Sequence, residues 1–322
     1  MPELPDITVY VESLAAKVQG DALRRLRLLN PFLLRTALPP IASVEGQHVR
    51  GVERLGKRIV IALEGELFLV LHLMIAGRLK WLAAGAKPPA GKATLALFEF
   101  GGGALAFTEA GTTRRASLHL LHGREALSAA DPGGIDVMAC DAADFAARLR
   151  AENHTLKRSL TNPHLFSGIG GAYADEILHR AKLSPIVLTR KLDDAQIATL
   201  LAAARSVLAE WTERLRAEAA VKGWPDKVTA FRPQMAVHGR YGLPCPVCAA
   251  PVQRIVHAGG AGKLARLAAP QGGTGSLGAA RQSPGNETNY CARCQTGGKL
   301  LADRALSTLL KASWPKHIDE IE

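Results

Sequence analysis

The chain opens MPELPDI, which puts a proline and a glutamate directly behind the initiator methionine. Two readings fit these residues. Proline fixes φ and is tolerated in the first turn of a helix, with Asp6 as an N-cap for the helical stretch beyond it. Alternatively, once Met1 is removed, Pro2 becomes a free secondary amine with the Glu3 carboxylate beside it, a nucleophile and acid pair. Four cysteines offer a second chemistry: Cys245 and Cys248 in CPVC, Cys291 and Cys294 in CARC. In a reducing compartment two C-x-x-C knuckles suit tetrahedral Zn²⁺ held by four thiolates better than they suit disulfides. Residues 249–290 separate the knuckles, a longer spacing than a zinc ribbon has. Cys140 has no nearby His or second Cys and reads as a buried, inert thiol.

Further candidates lie between these ends. In NPHLFSGIGGAYADEILHRAKLSP, Gly168, Gly170 and Gly171 form a tight turn that opens into a helix. Such a turn is either a phosphate site, with backbone N–H groups free at the helix start, or an ordinary helix–turn–helix corner. Lys57 begins a strand after a glycine in GKRIVIAL, and Met74 stands just before a turn in HLMIAGRLKW. Arg114 and Arg115 sit together at a loop tip, either as a solvated face or as a grip on phosphates or on a gap in a duplex.

The elements that position these residues are read from periodicity. Residues 6–19 carry Ile7, Tyr10, Val11, Leu14 and Val18 on one helical stripe. The runs RRLRLL, HVRGVERLG, RIVIAL, LFLVLHLM, LALFEF and ALAFTEA come next, separated by turn residues in the manner of a sandwich or barrel. Pro and Gly in SAADPGGIDV break any helix and mark a linker. From 142 to 220 the pattern is helical and Ala-rich, and LADRALSTLLKASWP reads as a last helix capped by Asp303. Residues 258–285 are too rich in Gly and Ala to bury much apolar surface and read as a flexible insertion.

Forty Lys and Arg against 29 Asp and Glu give a net charge of +11, which favours a polyanionic partner, nucleic acid first. The longest apolar run, LFLVLHLMIAG, is too short to span a bilayer and contains His72, so it reads as buried strand. The N-terminus has no basic stretch followed by an apolar one, so a cytoplasmic protein is expected.

In order along the chain, these pieces resemble the formamidopyrimidine-DNA glycosylases and their endonuclease VIII relatives. The opening resembles that family's Pro-Glu-Leu-Pro start, and Lys57 its Gly-Lys at the head of a strand. GIGGAYADEILHRAKLSP is similar to its helix–two-turns–helix motif, and the two knuckles to its zinc hairpin. The resemblance covers roughly residues 1–300. It implies a DNA repair glycosylase and abasic-site lyase acting on oxidised or ring-opened bases. Pro2 would be the nucleophile at C1′, Glu3 the proton shuttle, and Lys57 a contact to the damaged base or adjacent phosphate. Met74 and Arg114 would fill the space left by a flipped-out base. Arg115, His164, Gly168, Gly170, Gly171 and Tyr173 would complete the DNA contacts, and Cys245, Cys248, Cys291 and Cys294 would hold one structural Zn²⁺. Damaged DNA is the implied partner of a monomer associated with the nucleoid.

Three positions depart from the family pattern. Ala116 stands for a phenylalanine wedge, Gly171 for an asparagine, and Asn286 for the arginine before the third cysteine. Lys263, Arg266 and Arg281 of the insertion are available substitutes for that arginine, and the insertion serves otherwise as a tether. The departures allow a lyase preferring abasic or single-stranded sites, or a non-catalytic DNA-binding protein on the same scaffold. The expected fold is α+β: an N-terminal β-sandwich with flanking helices at 1–128, a linker at 129–141 and a helical domain with the helix–two-turns–helix at 142–232. The four-cysteine zinc hairpin is expected at 233–300, then a helix and tail at 301–322.

Overall fold

The structure is a computed structural model, which describes residues 1–89, 91–110, 114–225, 231–256, 287–301 and 315–321. The insertion, Asn286 and the helix expected from Asp303 lie outside the described residues. The chain divides into two compact units, one comprising Met1–Arg148, Asn162–Gly170 and Ala204–Ala230, the other Leu149–Thr161, Gly171–Ala203 and Phe231–Glu322.

The first unit begins with α1 (Leu4–Val18), which starts two residues before the periodic stripe does. Glu3 is its N-cap and donates its N–H to the Asp6 carboxylate at 3.0 Å, so Asp6 closes the first turn from inside rather than capping it. Pro5 costs nothing there, because first-turn N–H groups have no helical acceptor. The helix buries Ile7, Tyr10, Leu14 and Val18.

Eight strands come next: β1 (Arg25–Leu28), β2 (Val49–Leu55), β3 (Arg58–Leu63), β4 (Leu67–His72), β5 (Gly77–Ala83), β6 (Thr94–Phe100), β7 (Gly103–Glu109) and β8 (Ser117–His122). They make two four-stranded sheets, ordered β1-β6-β7-β5 and β2-β3-β4-β8, with every named pair antiparallel. The main core interleaves Ile59, Ile61, Leu69, Leu71 and Leu118 from one sheet with Leu79, Phe98, Leu105 and Phe107 from the other. Strands β3 and β4 read as unbroken apolar runs because both faces are covered. Their alternate residues Val60, Ala62, Phe68 and Val70 pack with Leu127 of the short helix α2 (Arg124–Ala129).

Strands β5 and β8 were not among the expected runs. Their outward positions carry Arg78, Lys80, Ser117 and His119, which dilute the apolar signal, while register with β7 and β4 places them unambiguously. Helix α3 (Ala142–Ala151) ends in the second unit, where α4 (Leu156–Thr161) and α5 (Gly171–Arg180) lie. The 29-residue α6 (Asp194–Lys222) begins in the second unit and ends in the first. There Leu215 and Ala219 pack on Val9, Arg216 pairs with Glu12, and the Trp224 indole donates to the Leu79 carbonyl at 2.9 Å. The second unit closes with the antiparallel hairpin of β9 (Gln253–Val256) and β10 (Glu287–Tyr290), followed by α7 (Ala292–Thr296).

Candidate active site and metal centre

In the first unit, the N-terminal segment and the glycine turn are one construction. Pro2 and Glu3 are buried. The Leu4 N–H donates to the Gly168 carbonyl at 2.9 Å, and the Gly170 N–H donates to Glu3 Oε2 at 2.6 Å. A Cβ on Gly170 would lie 2.5 Å from the Glu3 carboxyl carbon, and one on Gly168 would lie 2.9 Å from Leu4 Cβ. Gly168 also has φ +81°, a backbone state that side chains disfavour. These two glycines therefore give the backbone access to Glu3. The turn itself is fixed by Arg54 of β2, which donates to the Gly56 carbonyl at 3.0 Å and Ser167 Oγ at 3.2 Å and pairs with Asp136.

Gly170→Ala is expected to displace the Glu3 carboxylate, because a hydrogen-bonded backbone cannot retreat without losing the 2.6 Å bond. An ångström of misplacement costs roughly 10²-fold in rate. Single-turnover base release should therefore fall about 10²-fold in this variant, with thermal melting little changed. Wild-type turnover would show that Gly170 has no such role.

Lys57 occupies the two-residue turn between β2 and β3, after Gly56 at φ +61°. Burial lowers its pKa, and the Glu3 charge opposes that shift. The N-terminal amine is likewise pushed below its ordinary value, by burial first, against the raising effect of Glu3, with Arg78 and Lys57 adding to the lowering. A carboxylate, a lysine and the chain's amino end thus lie within electrostatic reach of one another in partly desolvated surroundings.

Two further groups coupled to this set by charge were missed by the sequence reading. His72, at the end of β4 opposite Arg58 and Ser117, is pushed down to about 4 by burial and then by Arg58, Lys57 and His119, so it is neutral at pH 7. Arg78 is held against the Ile75 and Gly77 carbonyls at 3.1 and 2.6 Å. The signal for His72 was a histidine inside an otherwise apolar strand. Arg78 had none beyond its place after Gly77.

The tip between β4 and β5 is tight, with the Gly77 N–H on the Leu73 carbonyl at 2.8 Å. Met74 has φ +52° and is half-buried, while its neighbour Ile75 is 57% exposed, so the apolar side chain the turn presents is Ile75. Arg114 is half-buried and bonds the Lys92 carbonyl, and Arg115 is exposed. Their segment is anchored by Glu109, a buried carboxylate that accepts the N–H groups of Arg115 and Ala116 at 3.0–3.3 Å. Ala116 is itself buried, so it does not reach outward as a wedge would. His164 is exposed, with Nδ1 donating to the Pro132 carbonyl at 2.8 Å, which leaves Nε2 outward.

In the second unit, Gly171 opens α5 with nothing within 4 Å of an added Cβ, and Tyr173 is buried. Beneath α5 lies a buried polar network. Asp175 accepts from Lys157 at 2.6 Å, from His238 Nδ1 at 2.8 Å and from the Asn289 N–H at 3.1 Å, while Lys157 also donates to the Glu287 carbonyl at 2.6 Å. Glu176 accepts the N–H groups of Ala236, Val237 and His238 at 2.7–2.9 Å; burial raises its pKa and those three bonds oppose the shift. With the charges of Lys157, Asp175 and Glu176 each hydrogen-bonded, this network holds β10 to α5 as structure.

The sulfur atoms of Cys245, Cys248, Cys291 and Cys294 all lie within 4.8 Å of one another. Cys245 and Cys294 are 3.9 Å apart and Cys248 and Cys291 3.3 Å, close to the roughly 3.8 Å that tetrahedral Zn–S bonds of about 2.3 Å require. Two of the four, Cys245 and Cys291, are buried, as a structural rather than a catalytic site requires.

Two family models match the chain: the formamidopyrimidine-DNA glycosylase N-terminal domain over residues 1–116 and the H2TH domain of the same enzymes over 132–219. The formamidopyrimidine-DNA glycosylase of Thermus thermophilus is 34% identical over 274 residues, 80% of this chain and 95% of the relative. The chain belongs to the formamidopyrimidine-DNA glycosylase family. Its function is therefore that of a DNA repair glycosylase, strand cleavage being a trait of the family, and its four cysteines are the ligands of one structural Zn²⁺.

An uncharacterized formamidopyrimidine-DNA glycosylase-like protein of Mycobacterium tuberculosis is 35% identical over 178 residues, 55% of this chain and 94% of that protein. Among solved structures, the MutM (Fpg) protein of T. thermophilus superposes with a TM-score of 0.69 at 29% identity, covering 91% of this chain and 98% of that one. Lactococcus lactis Fpg bound to DNA containing N7-benzyl-Fapy-dG has a TM-score of 0.74 at 20% identity over 92% and 100% of the chains, a likeness of fold. Among the described residues no helix is long and apolar enough to cross a membrane.

Proposed function

We propose that this glycosylase excises oxidised or ring-opened bases from DNA through the secondary amine of Pro2, exposed by removal of Met1. The supporting observation is the 2.6 Å bond that aims the Glu3 carboxylate from the Gly170 N–H, beside Pro2 and in surroundings that lower the pKa of the Met1 amine and of Lys57. The amine lone pair attacks C1′ and the glycosidic bond breaks, its electron pair leaving with the base. The departing base takes a proton from solvent. The Glu3 carboxylate takes the N–H proton of the attacking amine and passes it to the ring oxygen as the sugar ring opens, and the nitrogen becomes an iminium. That cation acidifies the C2′ proton, so loss of the proton expels the 3′ phosphate, and a second elimination expels the 5′ phosphate. Lys57 and neutral His72 would hold the flanking phosphate. Reaching C1′ requires the nucleotide to leave the stack. Protein acting on such DNA would be a monomer in the cytoplasm, gathered at the nucleoid by its positive charge.

Ile75 would fill the vacated space, with Arg114 on the neighbouring loop. Burying an isoleucine contributes about 1.5–3 kcal/mol, so Ile75→Ala should lower kcat/KM on a duplex lesion about 10–100-fold. Activity on a single-stranded abasic oligonucleotide should change little, and Met74→Ala should matter less. The buried Ala116 favours a second reading, a lyase for sites already abasic. Measuring free base and cut strand from duplexes carrying ring-opened guanine separates the two. Base release that keeps pace with cutting supports excision, whereas cutting of abasic DNA with no base release supports the lyase.

A further inference from the structure

Helix α5 carries a second polar contact that points at the metal centre. His179, in its last turn and 6% exposed, places Nε2 3.3 Å from Cys245 Sγ. The Val247 N–H lies 3.4 Å from the same sulfur, and Cys245 is the ligand that meets both donors. Four thiolates around Zn²⁺ leave a net charge of about −2. Cys245 and Cys291 are buried, where unbalanced charge is costly. Hydrogen bonds from outside the ligand set offset the charge and orient the ligands. A metal-bound thiolate has no proton to give, so across the His179–Cys245 contact the ring nitrogen must be the donor.

We infer that His179 is a positioning residue for the metal: its Nε2–H donates to the Cys245 thiolate, moderating that ligand's charge and fastening α5 to the first knuckle. The ring does not bind the ion. Loading with zinc fixes its tautomer, with the proton on Nε2.

The test uses the full-length, zinc-loaded protein and the variants His179→Phe and His179→Gln. Phenylalanine keeps the bulk and removes the donor, whereas glutamine keeps an N–H. In competition with a chromophoric chelator, His179→Phe should bind zinc about 10–100-fold more weakly, and His179→Gln should recover most of that loss. With Co²⁺ in place of zinc, the sulfur-to-metal charge-transfer band should move to lower energy in His179→Phe, because an unshielded thiolate gives up charge more readily. In the wild-type protein, nitrogen-15 spectra should show the zinc-loaded ring protonated on Nε2, a readout independent of whether the phenylalanine variant folds. A phenylalanine variant with wild-type affinity and an unmoved band would overturn the inference. So would a ring protonated on Nδ1 alone, or Co²⁺ spectra showing imidazole bound to the metal.

Discussion

Glu3→Gln should lower the rate of base release by about 10²–10⁴-fold, the range that general acid–base catalysis contributes. Glutamine has the same shape and can still accept the Gly170 N–H, so the turn at Gly168–Gly170 should persist and thermal melting should barely move. What is lost is the proton. Pro2→Gly, which keeps an α-amine but makes it primary and mobile, should also be slowed, and a chain that retains Met1 should be inactive because an acylated nitrogen cannot attack. The pH profile carries the sign of the environment. An α-amine of pKa near 8 is about 10% unprotonated at pH 7. Burial, with Arg78 and Lys57 nearby, lowers the pKa of the Met1 amine. If the Pro2 amine meets the same surroundings once Met1 is gone, the rising limb of kcat/KM against pH should have its midpoint below 8. A midpoint above 8, or Glu3→Gln at wild-type speed, would contradict this assignment. Rates are best measured in single turnover, where product release does not mask chemistry.

Loss of one metal ligand should be the most damaging change to the second unit. Cys291 is fully buried, precedes α7 and receives a Gln295 side-chain oxygen on its N–H at 2.8 Å, so the hairpin closes on it. Structural zinc contributes about 10–16 kcal/mol of apparent binding energy in small zinc-finger peptides. That is of the same order as the gross apolar burial of the small cluster around Val237, Val252, Ile255 and Tyr290, most of which chain entropy offsets. Cys291→Ser should therefore purify with well under one equivalent of zinc, and hydrogen exchange should show β9 and β10 unprotected while β3 and β4 stay slow. Cys140→Ser, at a half-buried thiol outside the four-cysteine set, should keep its zinc. A fully protected hairpin in Cys291→Ser would mean that the polar network under α5 suffices without metal.

Legibility in the sequence varied with the physics. The apolar runs of β3 and β4 and the stripe of α1 were plain because burial demands them. Strands β5 and β8 were not, since their partners rather than their composition decide their pairing. The cysteine knuckles converge as their two C-x-x-C pairs implied, across a separation longer than a zinc ribbon has. For Gly168 and Gly170, a linear reading offered phosphate binding or a corner. The folded chain shows a third use, close approach to Leu4 and Glu3 more than 160 residues away in sequence. No local pattern encodes such a contact. Ile75 was overlooked beside Met74 because exposure at a turn tip depends on the positive φ of the preceding residue. Asp175, Lys157, His238 and Asn289 each look like ordinary polar residues until the fold buries them together.

Whether Pro2 is the nucleophile is decided by where the covalent adduct forms. The protein is incubated with abasic duplex DNA and borohydride, digested, and the cross-linked peptide sequenced by mass spectrometry. The expected product is a peptide lacking Met1, with the reduced sugar attached to the nitrogen of Pro2 and its yield abolished when the N-terminus is acetylated. An adduct on Lys57, or undiminished trapping by a chain that retains Met1, would rule out the Pro2 mechanism.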